Sequence, residues 1–335
     1  QLPYSSGYQS MLINAGETKN VGVELTVNTV NFSTKKFSWN TTLTLSHNKN
    51  SVKALTGEAV QLYEAKFGFN QNTHRIAVGE PLGQFYGYIT EGLYQVDDFN
   101  YDASTQTYTL KDGVPYHGDK GQIRPGMWKF KNLTGDDNVI DENDKTVIGN
   151  AQPKFYGGLN NSFTYKGFDL SIFLTFSYGN EVLNATKLVT SKVGSLNYNA
   201  LDVMNSSNRW MTINSDGQKV TDPGELAALN AGKTVAAYHD AQQGDNYIHS
   251  WAVEDASYLK LSNVTLGYTF PKNLIARVGL KNLRLYATGN NLLTWTKYSG
   301  FDPEVSTMKS GLTPGVDFGA YPLSRSFIFG LNVAF

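Results

Sequence analysis

Apolar and polar residues alternate along much of this chain. In VGVELTV, Val21, Val23, Leu25 and Val27 fall on one side and Gly22, Glu24 and Thr26 on the other, the period of two that an extended strand imposes on its side chains. FSWNTTLTLSHN follows after a turn around Ser33–Lys36 and repeats the pattern, with Phe37, Trp39, Leu43 and Leu45 opposite Ser38, Asn40, Thr42, Thr44 and Ser46. The two segments predict a hairpin. A second hairpin is predicted over KFYGGLNNSFTY and FDLSIFLTFSY, joined by Lys166-Gly167, which suits a two-residue turn.

Three further strands follow from the same period. NLRLYATGN sets Leu283, Leu285 and Ala287 against Arg284, Tyr286, Thr288 and Asn290. SYLKLSNVTLGYTF begins in one phase, at Leu259 and Leu261, and continues in the other, at Val264, Leu266, Tyr268 and Phe270. That shift predicts a β-bulge near Ser262-Asn263. The terminal SFIFGLNVAF places Phe327, Phe329, Leu331, Val333 and Phe335 on one face, with Ile328 the one apolar residue on the other.

Such two-faced strands build either a soluble sandwich, with the apolar face turned to a core, or a membrane barrel, with that face turned to lipid. Here the polar face carries mostly Ser, Thr, Asn and Gly and few charges, which suits a hydrated lumen better than bulk solvent. Connections also divide unequally. Those after residues 31, 165 and 270 are short, whereas 49–154, 180–255 and 294–324 are long and predict extracellular loops, the short turns lying at the periplasmic end. The expected fold is all-β, an antiparallel transmembrane β-barrel of which this chain supplies about eight to ten strands. That count includes a candidate first strand in 7–14 and leaves 84–95 open, either as wall strands or as a hairpin within the external loops.

Composition narrows the function classes. Lys plus Arg number 28 against 29 Asp plus Glu, so no charge excess suggests a nucleic-acid partner. The chain has no cysteine, which removes disulfides, thiolate metal sites and cysteine nucleophiles. No stretch approaches the roughly 20 apolar residues of a spanning helix, while strands of roughly 9–11 residues can span. QLPYSSGYQS shows no targeting signal, so the leader was removed or the chain begins partway through something larger.

Several passages together resemble the SusC/RagA family of TonB-dependent outer-membrane transporters of Bacteroidetes, in its C-terminal part. They are GETKNVGVEL with FSWNTTLTLSHNKNSVKAL, GEPLGQFYGYITEGLYQ, DENDKTVIGNAQPKFYGGLNNSFTYKGFDLSIFLTFSYGNEVLN, VEDASYLKLSNVTLGYTFP, LRLYATGNNLLTWTKYSGFDPEV and YPLSRSFIFGLNVAF, spread over nearly the whole chain. The resemblance implies a plugged barrel of about 22 strands, coupled to TonB and covered by a SusD-like surface lipoprotein. The N-terminal barrel and plug portion, which would contact TonB, has no counterpart here. Eight to ten strands alone would leave two unpaired edges in lipid, so the chain is expected to be a piece of a longer polypeptide paired with that portion. The alternating strand ending in Phe335 resembles the signal read by the outer-membrane assembly machinery, an ordinary final strand being the alternative.

Two candidate sites stand in the long loops. NLTGDDNVIDEND places Asn132, Asp136, Asn138, Asp141 and Asp144 at spacings similar to a calcium loop. Asp137 stands where glycine is expected and the closing acid falls one place late, so a hydrated acidic turn competes with calcium as the only cofactor in view. Trp128, Tyr198, Trp210, Tyr247, Trp251 and Trp295 could stack on oligosaccharide or peptide cargo, and loop packing or an interfacial aromatic belt explains them equally well. No catalytic residue is expected: Asp97-Asp98 and Asp136-Asp137 are adjacent carboxylates rather than a pair flanking a bond, and no nucleophile elbow or P-loop is present. The expected function is TonB-dependent nutrient import. A soluble carbohydrate-binding β-sandwich and a surface glycoside hydrolase are the alternatives.

Overall fold

The computed structural model describes residues 16–56, 60–64, 72–135, 137–191, 199–237, 247–308 and 310–335. Seven long strands make one antiparallel sheet: β1 (Gly16–Ser33), β2 (Phe37–Leu55), β3 (Phe155–Tyr165), β4 (Phe168–Tyr178), β5 (Tyr258–Thr269), β6 (Asn282–Thr296) and β7 (Ser326–Ala334). Each pairs with its neighbours in chain order, an up-and-down meander whose edges are β1 and β7. Among the described residues the other sheets have only two to four short strands each, against which a seven-stranded sheet is not matched as the half of a sandwich.

Register follows from the side-chain period, because partners across a ladder share a face. One row runs Val27, Leu43, Leu159, Leu174, Leu261 and Leu293 across six strands. One residue along, a row on the opposite face runs Asn28, Thr42, Asn160, Phe173, Asn263 and Asn290, with Phe173 the apolar exception. The apolar side chains remain largely uncovered, Val23 at 71% and Phe329 at 82%. The polar rows bond to one another instead: Thr265 to Thr288 at 2.8 Å, Asn263 to Asn290 at 2.7 Å, Thr42 to Asn28 at 2.8 Å.

The predicted bulge lies where the phase shift put it. Between Leu261 and Asn263 the ladder to β4 skips Ser262. Leu259 and Leu261 thereby stay on the same face as Val264 and Leu266. Opposite Ser262, β6 carries two residues, Asn291 and Leu292, and Asn291 is left-handed at φ 52°, a conformation asparagine tolerates. The β3–β4 turn is also as expected. Lys166 and Gly167 have φ of 47° and 91°, the two positive angles of a turn that matches strand twist.

The sheet has seven strands among the described residues; the candidate strand in 7–14 lies outside them, and 84–95, which the sequence leaves open, is not wall. Since β2 pairs directly with β3, the segment between them stands off the sheet as two short strands, Gln84–Gly87 and Thr90–Leu93, each paired within the loops. The wall strand β2 also runs to Leu55, beyond the expected loop boundary at 49.

One feature of the apolar face breaks its pattern. Asn31, the extra residue of a bulge in β1, donates to the Thr41 hydroxyl at 2.6 Å and accepts from Thr29 at 2.9 Å. The Asn161 side-chain oxygen accepts from Thr41 at 2.7 Å and from the Trp39 indole at 3.0 Å. A chain of polar groups thus crosses three strands.

Candidate functional site

The long connections gather at one end of the sheet into a single folded module. The reason is a shared core. Tyr88, Leu93, Trp128 and Phe130 from the first loop pack with Trp210, Val220 and Leu226 from the second. Phe85 from the first, Leu183 and Ile248 from the second and Val316 from the third share another cluster. Short strands stitch the same segments together: Glu181–Asn184 pairs with Val253–Asp255 and, in parallel, with Val316–Asp317. At the other end the connections are the short ones, 34–36, 166–167 and 270–281.

This module meets the polar face of the sheet through Lys260. Its side chain is buried against the acidic pair that the third loop brings back, within 3.7 Å of Asp302 and in direct contact with Glu304. Tyr258 donates to the same Glu304 at 2.5 Å. The loops therefore sit over the polar side of the wall, where a lumen would open.

Most of the aromatic residues proposed for cargo are core. Trp128 and Trp210 are only 4% and 1% exposed. Trp128 lies 4.9 Å from Trp251, and Tyr247 lies 5.2 Å from Tyr88. Both Tyr247 and Trp251 are half-buried against the same cluster, and Lys187 stands over the Trp251 ring at 4.1 Å. Large apolar area made these residues the best means of closing a small core, so they are not a free stacking platform. Trp295 belongs to the outer row of β6, paired with Leu259, and Tyr198 lies outside the described residues.

In the acidic turn, Asp144 is fully buried and its carboxylate accepts from the Leu133 and Thr134 amides, the Thr134 hydroxyl and the Asp141 amide, at 2.6–3.0 Å. Burial acts to raise its pKa. These donors outweigh burial and hold it below the ordinary carboxylate range. Asp141 is occupied with the Asn143 backbone and side chain, and Asn132 with Gly135 and Asp137. Asn138 is exposed and Asp136 lies outside the described residues. Among the described residues no three acidic or histidine side chains converge as a metal cage would require.

Three buried histidines, His74, His117 and His249, take no part in the sites read from the sequence. His74 is held by a Thr73 hydroxyl at 2.8 Å and the Pro314 carbonyl at 2.9 Å. His117 sits between Phe130 and Tyr247, ring centroids 5.0 and 5.7 Å away, and neither of its ring nitrogens has a hydrogen-bond partner among the described residues. Nothing in the local sequence marks them, since their burial comes from segments distant along the chain.

A wall with one apolar and one polar face, crowned at one end by a folded loop module, defines a stretch of transmembrane β-barrel. Homology agrees over the full chain. TonB-dependent receptors P3 and P39 of Formosa agariphila are 34% and 30% identical over 100% of this chain, and SusC, a TonB-dependent receptor of Bacteroides thetaiotaomicron, is 26% identical over the same extent. The chain belongs with the SusC/RagA family of TonB-dependent receptors. It spans 30%, 32% and 28% of the length of those three proteins. The structure of the RagAB peptide transporter has the same fold over 100% of this chain and 31% of its own, with a TM-score of 0.67 at 22% identity. No protein-family model matches. These relatives bear the names of receptors and of a transporter, and none of them the name of a hydrolase.

Proposed function

We propose that this chain is a stretch of barrel wall and extracellular loops in an outer-membrane importer that takes up an oligosaccharide or an oligopeptide. The single observation that carries the reading is the set of apolar rows on one face of a seven-stranded meander, backed by hydrogen-bonded Ser, Thr and Asn rows on the other. The first suits acyl chains and the second suits water. Strands β1 and β7 are edges that lipid does not tolerate. An N-terminal barrel and plug portion would pair them, receive energy from TonB and complete the lumen, with a SusD-like lipoprotein closing over the cargo. The names of the relatives, which include a peptide transporter, favour import without fixing the cargo. Exposed Phe327, Phe329, Leu331, Val333 and Phe335 on the last strand would serve as the assembly signal.

The test uses neighbouring residues on opposite faces. Deleting the gene should abolish growth on a peptone as sole nitrogen source or on a mixed glycan hydrolysate as sole carbon source. Complementation with Ser171→Arg, on the polar face, should restore growth. Ile172→Arg, on the apolar face, should fail and deplete the protein from the outer membrane, since a lipid-facing arginine costs about 2–4 kcal/mol at mid-depth. Unimpaired growth of the deletion strain on both media, or equal behaviour of the two variants, would refute the reading.

For the 132–144 turn we read a self-capped acidic loop, because Asp144 and Asp141 are already committed to neighbouring donors. Calcium added to chelator-treated protein is expected to release no heat by calorimetry. A saturable exotherm lost in Asp141→Asn would restore the calcium alternative.

A further inference from the structure

The third loop and the second enclose a cavity of about 420 Å³ at the module's surface. Leu201, Asp202 and Val203 line one side and Gly300, Phe301 and Ala320 the other. Phe301 is 77% exposed. An aromatic ring left this open beside a concavity lacks the packing role that buries Trp128 and Trp210.

The chemistry of the lining selects an occupant. Its neutral polar groups are already used: the Asn184 amide donates to Glu254 and Ser299, the Ser299 hydroxyl donates to Glu254 at 2.9 Å, and the Thr186 hydroxyl donates to the Asp317 carbonyl. Few donors or acceptors remain for the many hydroxyls of a sugar. The one lining cation among the described residues, Lys187, is paired with Glu254 at 3.0 Å. Asp317 is buried, its carboxylate accepting from Tyr298 at 2.6 Å, and the Asp202 side chain is exposed with no partner among the described residues. Among the described residues the lining thus offers apolar walls, an open ring face and more negative than positive charge. An anion is repelled there. A cation carried on an apolar stem satisfies all three features, and guanidinium also stacks on an aromatic face.

We propose that this cavity is a subsite for an arginine or lysine side chain of a peptide cargo. The proposal rests on the importer reading and narrows its cargo to peptides with basic residues. The stem would lie against Leu201 and Val203, the charged head between the Phe301 ring and the Asp202 carboxylate. The cavity opens on the same loop whose Glu304 and Asp302 fold back onto Lys260. A side chain captured there is held beside the polar face of the wall.

Calorimetry on the purified full-length protein that carries this chain decides the matter, with Gly-Ala-Arg-Ala-Gly and its citrulline counterpart as probes. Citrulline keeps the shape of arginine and removes the charge. The arginine peptide is expected to bind about tenfold more tightly at low salt. Asp202→Asn should bring the two within about twofold, and Phe301→Ala should weaken the arginine peptide about fivefold. Both positions are exposed, so neither change threatens folding, and Asp97→Asn, an exposed acid elsewhere on the loops, should leave the ratio unchanged. Equal binding of the two peptides, or a ratio indifferent to Asp202→Asn, overturns the subsite. Import is scored separately by growth: cells that grow on peptone while the probes bind equally keep the importer and lose the subsite.

Discussion

Trp210→Ala is expected to loosen the whole loop module, at a cost of about 3–5 kcal/mol, the range for deleting a fully buried tryptophan. The indole is 1% exposed and lies over Gly126, a residue with φ of 86° whose missing side chain makes room for the ring. Backbone bonds seat both partners: the Trp210 amide donates to the Val235 carbonyl at 2.9 Å and the Ala237 amide to the Gly126 carbonyl at 2.8 Å. The indole N–H has no partner among the described residues, so packing alone accounts for the loss. Gly126→Ala should act in the same direction, because a Cβ there strains the left-handed backbone and collides with the ring. Trp210→Phe should lose less. Hydrogen exchange resolved by peptide is the measurement: segments 88–96, 126–130 and 220–237 should exchange faster, while β3–β6 stay protected. Unchanged protection in the loops would mean that the first and second connections do not share a core.

Acid should weaken the same module. Burial pushes His74 down to about 4 despite the Pro314 carbonyl, and burial alone pushes His117 down to about 4. Both stay neutral in the folded loops while the unfolded chain takes up a proton near pH 6.5. The histidine share of the stability is then full above about pH 6.5, falls as the pH drops toward 4, and changes no further below. Each histidine contributes at most about 3 kcal/mol over that window. His117→Leu should remove one share of the pH dependence and keep the fold, since it also deletes two ring nitrogens that have no partner among the described residues. Tryptophan fluorescence melts of the protein in detergent between pH 7.5 and 4.5 would show it. A midpoint constant across that range would rule the mechanism out.

The wall was legible in the sequence and the module was not, for a physical reason. A strand that separates two environments repeats one binary choice every second residue, so Leu259, Leu261 and Val264 disclose even the phase shift at Ser262. Pairing order followed as well, since short turns such as Lys166-Gly167 join neighbours. In the loops an aromatic residue carries no such code. Trp128 and Trp210 meet only because segments about 80 residues apart close on each other, and a tryptophan read from sequence serves a core or a cargo equally. The Phe301 cavity is assembled from four separate segments, so no local motif announces it. The acidic turn shows the converse: its spacing was visible, but not that Asp144 would turn inward onto the Leu133 and Thr134 amides.

The amide-and-hydroxyl chain from Thr29 through Asn31, Thr41 and Asn161 to the Trp39 indole bears on how such a wall finds its correct alignment. Leucine rows slide past one another at little cost, because every slip by two residues still matches oil to oil. A slip here would strand several dipoles in hydrocarbon at once, each at a penalty of several kcal/mol. Those few polar atoms therefore favour a single alignment of β1, β2 and β3, where greasy side chains do not.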